Sequence, residues 1–187
     1  MDTSNWAKRM KKYETVPKTN LMNRTPVAIR IDGKAFHTFT RGFKRPFDPV
    51  FMRTMQDTMK YLCQNIKGVV LGYTQSDEIT LILQDYKTFS TAAWFDYEVQ
   101  KLCSISASMA TMAFNKFFSE NVEIFRNINN IDLSAVALNE RDKADLYITY
   151  NNAIDKGAMF DSRCFNIPFE EVTNLVYWRQ LDATRKR

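Results

Sequence analysis

Histidine is nearly absent from this sequence of 187 residues, which contains only His37. Catalysis of the Ser-His-Asp or Cys-His kind would have to use that single residue, and a metal site with several histidine ligands is excluded. Any chemistry that the chain performs must therefore come from carboxylates, metal ions and basic side chains.

Paired cysteines and long apolar runs are also missing. The cysteines are odd in number, widely spaced and without a CxxC pair: Cys63, Cys103 and Cys164. This spacing disfavours a disulfide framework or a zinc site and favours a reducing compartment. No apolar run approaches the ~18 residues of a membrane span, and residues 1–12 lack the apolar centre of a signal peptide. We therefore expect a soluble, cytoplasmic protein with no membrane partner.

The overall composition is that of a folded globular protein. Apolar residues make up 45% and charged residues 25% of the chain, both close to the average for soluble domains. The length suits one domain with appendages. Lys and Arg exceed Asp and Glu by 26 to 21, which permits a polyanionic partner without requiring one.

The spacing of apolar residues predicts the order strand, helix, strand, strand, helix, strand. The predicted strands are residues 27–31, 69–73, 79–83 and 164–167, and the predicted helices between them are 48–66 and 88–118. We also expect an N-terminal helix at 1–15, a basic loop at 33–47, an insertion at 119–159 and a helix after Pro168. This order predicts an α+β, ferredoxin-like split βαβ domain (βαββαβ) with an insertion and a C-terminal helix, in which residues 1–187 form a single domain.

Carboxylates from two parts of the chain should converge in such a domain. The first and third strands of the split βαβ plan are central, antiparallel neighbours, so the end of one lies beside the start of the other. Asp32 ends the first strand, while Asp77 and Glu78 precede the third. Taken singly, an Asp-Gly or Ser-Asp pair is an ordinary turn, but their combination is typical of a palm-type polymerase or cyclase.

A cation between these carboxylates would relieve their mutual repulsion. Hard oxygen ligands with open positions suit Mg²⁺ that is bound partly through substrate phosphates. Two such ions ~3.5–4 Å apart would serve phosphoryl or nucleotidyl transfer. Gly33, which lacks a side chain, leaves its carbonyl available as a further ligand. We therefore predict catalytic roles for Asp32, Asp77 and Glu78.

Five collinear segments resemble motifs of the tRNA-His guanylyltransferase family. Residues 30–39 (RIDGKAFHTF) resemble its RxDGRxFHxF motif, and residues 72–78 (GYTQSDE) resemble GYGQSDE. Lys101 with Ser108 on the long helix, residues 160–163 (FDSR, for FDGR) and residues 178–182 (WRQLD, for WRQxD) follow in order. The similarity spans roughly residues 25–182 apart from the insertion, and it is strongest for the guanylyltransferase-like tRNA repair proteins.

The resemblance implies addition of nucleotides to the 5′ end of tRNA in the 3′-to-5′ direction, after ATP or GTP activates the RNA 5′ phosphate. It implies that two Mg²⁺ ions are held by Asp32, Gly33 and Asp77. The implied nucleotide and phosphate contacts are Arg30, Lys34, Ala35, Phe36, His37, Lys44, Arg45, Ser76 and Lys101. RNA contacts would come from Arg163 and Arg179, and the family resemblance also implies a homo-oligomer, a tetramer.

The sequence departs from the family pattern in places that refine the prediction. Tyr97 and Glu98 stand where the family commonly has basic residues, and this departure argues against one of the family's phosphate pockets in this chain. The segment 182–184 resembles the bacterial and archaeal repair proteins, which favours template-dependent repair of 5′-truncated tRNA over marking of tRNA-His. Because the family continues for several tens of residues beyond Arg187, we expect a truncated or naturally short form.

Two alternative functions stay open on sequence grounds. The first is a diguanylate-cyclase-like or nucleotide-cyclase-like palm enzyme, although its usual Gly-Gly-Asp/Glu-Glu-Phe hairpin is absent. The second is a non-catalytic RNA-binding remnant. Product analysis with GTP alone separates a cyclase from an enzyme that needs an RNA end, and RNA binding without metal-dependent turnover would indicate the remnant.

Overall fold

The computed structural model describes residues 4–131 and 141–185 as helices packed on one sheet. The helices are α1 (Asn5–Thr15), α2 (Phe36–Phe39), α3 (Pro49–Asn65), α4 (Val99–Ile128), α5 (Arg141–Lys156) and α6 (Val172–Arg185). The strands are β1 (Val27–Gly33), β2 (Val69–Gln75), β3 (Glu78–Leu83) and β4 (Phe160–Asn166), and short 3₁₀ turns lie at Trp94–Tyr97 and Phe169–Glu171. Within these described ranges, no helix is both long and apolar enough to cross a membrane.

The four strands form one antiparallel sheet in the order β2-β3-β1-β4. The predicted central pairing of the first and third strands is therefore present. Successive side chains of a strand point to opposite faces, and on one face the fully buried Ile29, Ile31, Ile79 and Leu81 pack in the core. Helices α3 and α4 cover this face, since Met55, Leu62, Leu102 and Phe114 belong to the same cluster.

Aromatic side chains anchor the segment between β1 and α3 to this core. The Phe36 ring lies 5.0 Å, centroid to centroid, from the rings of both Phe39 and Phe160, and Phe43 stacks on Phe118 at 5.8 Å. Burial of each such ring stabilises the fold by roughly 1.5–3 kcal/mol. The prediction of a loop over 33–47 is wrong in one respect, because Phe36–Phe39 form the helical turn α2.

The helix boundaries around the predicted insertion also differ from the structure. Helix α4 begins at Val99 rather than near 88 and continues to Ile128, past the boundary predicted at 119. The extension is stabilised by burial of Val122 and by Asn121, whose Nδ2 donates to Thr54 Oγ1 at 3.2 Å. Residues 141–156 form α5, which buries Tyr150 completely. Part of the predicted insertion, residues 132–140, lies outside the described residues.

The opposite face of the sheet changes in character along its strands. Near the start of β1, Ala28 and Ile82 pack with Leu175 of α6 in a small apolar cluster. Toward the end of β1, the same face carries the charged residues Arg30 and Asp32. Strand β4 begins at Phe160, four residues before its predicted start at 164, because its polar residues conceal the apolar pattern. This face therefore holds an apolar end under α6 and a charged end at the β2–β3 turn.

Candidate active site

Asp32 and Asp77 meet at the charged end of the sheet. Asp32 pairs in register with Glu78 on β3, and the turn of Ser76 and Asp77 precedes that strand. The amide of Gly33 donates a hydrogen bond to the carbonyl oxygen of Asp77 at 3.1 Å, which ties the end of β1 to the turn. Ser76 adopts a left-handed conformation with φ of 52°, so the chain reverses tightly there. The structure thus brings the two predicted aspartates together.

Negative charge is concentrated around Asp32. Burial raises the pKa of its carboxyl above the ordinary value, and the neighbouring charges of Asp77, Glu78 and Asp161 raise it further, in that order. Arg163 opposes this rise. A carboxylate that is held among like charges in this way gains stability when a cation binds beside it.

The position between the two aspartates accepts only glycine. A Cβ on Gly33 would collide with the ring of Phe36, which the aromatic core holds in place. Two carboxylates and a main-chain carbonyl are ligands that suit Mg²⁺, which keeps several waters and phosphate oxygens. Among residues 4–131 and 141–185, no three His, Cys, Asp or Glu side chains converge as a metal site on their own. The site therefore offers few protein ligands and leaves room for substrate oxygens.

Glu78 and Arg179, for which catalytic and RNA-binding roles are predicted, bind each other. Arg179 donates from Nε to Oε1 and from Nη2 to Oε2 of Glu78, each at 2.7 Å. The side chain of Arg179 is only 14% exposed and that of Glu78 only 9%. The fork engages both carboxylate oxygens of Glu78. Arg179 also pairs with Asp182 at 3.3 Å.

Arg30 lies beside this pair rather than at an open phosphate pocket. Its Nε is 3.7 Å from Oε2 of Glu78, beyond hydrogen-bond distance, and is buried without a hydrogen-bond partner. Its guanidinium lies 5.8 Å from the ring centroid of Trp178, and that of Arg179 lies 4.7 Å from it. The contacts of Arg30 are thus internal to the charged end of the sheet.

The remaining predicted nucleotide contacts differ in exposure. Most of them have exposed side chains: Lys34, Ala35, His37, Lys44, Arg45 and Ser76. Phe36 is buried, so its ring cannot stack on a base, and only its main chain could contact a nucleotide. Lys101, in the first turn of α4, pairs with Glu98 at 3.3 Å, and its Nζ lies 5.8 Å from the ring centroid of Phe95.

Sequence reasoning missed Asp161 and the support of the turn by α6. Asp161 lies in register with Asp32 on β4, is exposed, and pairs with Arg163 at 3.2 Å. A sequence signal for Asp161 was available, since it belongs to the segment 160–163 that resembles a family motif. Gln75 Nε2 donates to the carbonyl oxygen of Arg179 at 2.9 Å. No local sequence pattern predicts this contact, because the two residues are far apart in the chain.

An antiparallel sheet has α3 and α4 on one face and α6 on part of the other, with Asp32 of β1 and Asp77 of the β2–β3 turn together at one end. These features define a mixed α and β protein with a candidate cation-dependent site. A family model for tRNA-His guanylyltransferase matches residues 7–168. The chain belongs to the tRNA-His guanylyltransferase family.

Individual relatives agree with this assignment. The tRNA(His) guanylyltransferase of Schizosaccharomyces pombe is 30% identical over 177 residues, which cover 93% of this chain and 54% of that protein. A bacterial tRNA(His) guanylyltransferase-like protein in complex with GTP superimposes with a TM-score of 0.75 at 36% identity, over 96% of this chain and 66% of that one. A structure of such a bacterial protein with ATP gives 0.74 at 37% identity, over 96% and 65%. The chain thus spans less than two thirds of the length of these relatives.

Proposed function

We propose that residues 1–187 form one palm-type catalytic domain of a nucleotidyltransferase that adds nucleotides to the 5′ end of tRNA in the 3′-to-5′ direction. The observation that carries the proposal is the meeting of Asp32 and Asp77 across β1 and the β2–β3 turn, fixed by the Gly33 amide. Membership of the guanylyltransferase family supports it.

The aspartates would hold the cations that this chemistry needs. Asp32 and Asp77, with the carbonyl of Gly33, are the ligands that we assign to two Mg²⁺ ions. Bound there, the ions supply charge neutralisation at phosphorus and a more acidic attacking hydroxyl. A carboxyl group must lose its proton to become a metal ligand. The pKa of the Asp32 carboxyl is raised, so it competes with protons for the cation at higher pH than an ordinary carboxyl does. Cation affinity should therefore fall as the pH is lowered.

The exposed cations around α2 suit a triphosphate. Lys34, Lys44 and Arg45 are exposed in the segment that follows β1. The relatives solved with GTP and with ATP support nucleoside triphosphates as substrates.

Two transfers at phosphorus account for the proposed addition. In the first, an oxygen of the RNA 5′ phosphate attacks the α-phosphorus of ATP or GTP, and pyrophosphate leaves. In the second, the 3′ hydroxyl of an incoming nucleoside triphosphate attacks the activated 5′ phosphorus, and AMP or GMP leaves. Both transfers place negative charge beside Asp32 and Asp77, which is why the cations are required.

Template pairing would select the base that is added. If the incoming base pairs with the opposite strand of the acceptor stem, the protein needs only to hold the backbone and the triphosphate by charge. Half-exposed Arg163 is a candidate for an RNA phosphate contact. We therefore favour repair of 5′-truncated tRNA over addition of one fixed guanosine.

The test uses tRNAs that lack their first nucleotide, with each of the four bases opposite the gap and with several anticodons. We expect the added nucleotide to be the complement of the template base in each case, whatever the anticodon. Addition of G regardless of template, or activity confined to the His anticodon, would contradict repair. The Asp77→Ala variant serves as the inactive control.

A further inference from the structure

Helix α6 contacts the catalytic turn through side chains that the proposed chemistry does not use. Arg179 forms the bidentate pair with Glu78, and its carbonyl accepts a hydrogen bond from Gln75 at 2.9 Å. Gln180, the next residue of α6, hydrogen-bonds the hydroxyl of Tyr73 on β2. The end of β2 and the start of β3 are therefore fastened to α6 on both sides of the turn that carries Asp77.

The pairing of Glu78 matters because of where Glu78 lies. It is directly opposite Asp32 on the neighbouring strand and next to Asp77 in the chain. Like charges opposite one another on adjacent strands repel, and an unpaired Glu78 would be a third carboxylate ligand beside Asp32 and Asp77, in addition to the charge of Asp161, which pairs with Arg163. Arg179 engages both of its oxygens, whereas Arg30 approaches only to 3.7 Å. Arg179 is thus the principal partner of this buried charge.

We propose that Arg179 is a positioning residue of the cation site: its fork withholds Glu78 from the metal ligands and fixes the turn, so that Asp32 and Asp77 alone supply carboxylates. This inference rests on the proposed function, because it assumes that a divalent cation binds between the two aspartates. It assigns α6, which contributes no ligand, a role in the geometry of the site.

Removal of the fork should separate cation binding from turnover. In Arg179→Gln a positive charge near the site is lost and Glu78 is released to ligate, so Mn²⁺ should bind at least about fivefold more tightly. The kcat for 5′ addition should nevertheless fall, because the turn is no longer held and a third carboxylate enters the site. A residue that served only the stability of the fold would weaken binding and turnover together.

The direct measurement is titration of Mn²⁺ without RNA or nucleotide, followed by the electron paramagnetic resonance signal of the free ion. Wild type, Asp77→Asn, Arg179→Gln and the double variant Glu78→Gln/Arg179→Gln are compared. We expect Asp77→Asn to lose binding, and the double variant to return within about twofold of wild type because the added carboxylate is neutralised. Arg53→Gln, which breaks an exposed pair with Asp57 on α3, is the matched control and should leave the affinity unchanged.

The variant Arg179→Lys provides a second test if Arg179→Gln does not fold. A lysine keeps the charge but cannot form the fork, so one oxygen of Glu78 is released, and tighter Mn²⁺ binding with lower kcat is again expected. Unchanged or weaker affinity in the Arg179 variants would overturn this role. Absence of Mn²⁺ binding by the wild type would overturn both the cation site and this inference, whereas Mn²⁺ binding without 5′ addition would contradict the proposed function alone.

Discussion

Asp32 is held in the folded chain at a cost to stability. The pKa of its carboxyl is raised by burial and then by three neighbouring carboxylates, so the folded state favours the protonated form. The folded chain therefore binds more protons than the unfolded chain at this residue. Stability should fall as the pH rises from about 4 through the raised pKa, and the loss is complete above that pKa.

The variant Asp32→Asn should remove this loss. In the absence of divalent cations, we expect its free energy of unfolding at pH 7 to exceed that of the wild type by about 1 kcal/mol or less, since the side chain is partly exposed and solvent screens its charges. The difference should shrink as the pH falls through the raised pKa and vanish below about pH 4, where the Asp32 carboxyl is protonated in the folded and the unfolded chain. Urea denaturation across this pH range, in the presence of a chelator, measures it.

An acidic residue on α3, Asp57, supplies the control for this stability measurement. Asp57 pairs with Arg53 at 3.6 Å and with Lys60 at 3.5 Å, so its replacement by asparagine should give no gain at pH 7. A wild type that is more stable than Asp32→Asn at neutral pH without metal would show that the charge of Asp32 is compensated within the fold.

Helices α3 and α5 and the basic segment before α3 are joined at one buried carboxylate. Asp48 caps α3 by accepting from the amide of Phe51 at 2.9 Å, and it also accepts from the amide of Lys44 at 3.0 Å. The hydroxyl of Tyr150 on α5 donates to the same carboxylate at 2.6 Å. Burial raises the pKa of that hydroxyl, and Asp48 raises it further. The position of Lys44 thus depends on α5.

The variant Tyr150→Phe tests this connection. Removal of one hydrogen bond to a buried, charged acceptor should lower the free energy of unfolding by about 1.5–3 kcal/mol. The matched control on the same helix is Tyr147→Phe, whose hydroxyl donates to half-exposed Glu123 at 3.1 Å and should cost clearly less. Equal losses in the two variants, measured by chemical denaturation, would contradict a special role for the Asp48 contact.

The elements that could be predicted from the sequence are those with a clear local period. Helix α3 follows from its Asp-Pro start and its apolar spacing, and the β2–β3 hairpin follows from two apolar runs separated by one turn. The ends of α4 and the bounds of α5 could not be predicted from the sequence, because stabilising contacts such as that of Asn121 with Thr54 join distant residues. Likewise, the pairing of Glu78 with Arg179 could not be predicted, because the two residues are about a hundred positions apart in the chain.

At the scale of the whole molecule, the two faces of the sheet have separate tasks. One face buries the aromatic and aliphatic core under α3 and α4, which fixes the strands. The other exposes a charged end with acidic side chains of β1, β4 and the β2–β3 turn, and exposed cations follow β1 in the chain. A net charge of +5 over the chain permits a polyanionic partner, while the local negative charge favours cations. This contrast agrees with the proposed function.

The most direct test of the account is nucleotide addition to a 5′-truncated tRNA in Mg²⁺ by wild type, Asp32→Ala and Asp77→Ala. Asp142→Ala, which removes an exposed carboxylate on α5, is the control. We expect both site variants to retain the fold by circular dichroism and to lose addition, because each removes a cation ligand, while the control keeps it. Normal addition by either Asp32→Ala or Asp77→Ala would contradict the assignment of the paired aspartates as the centre of the chemistry.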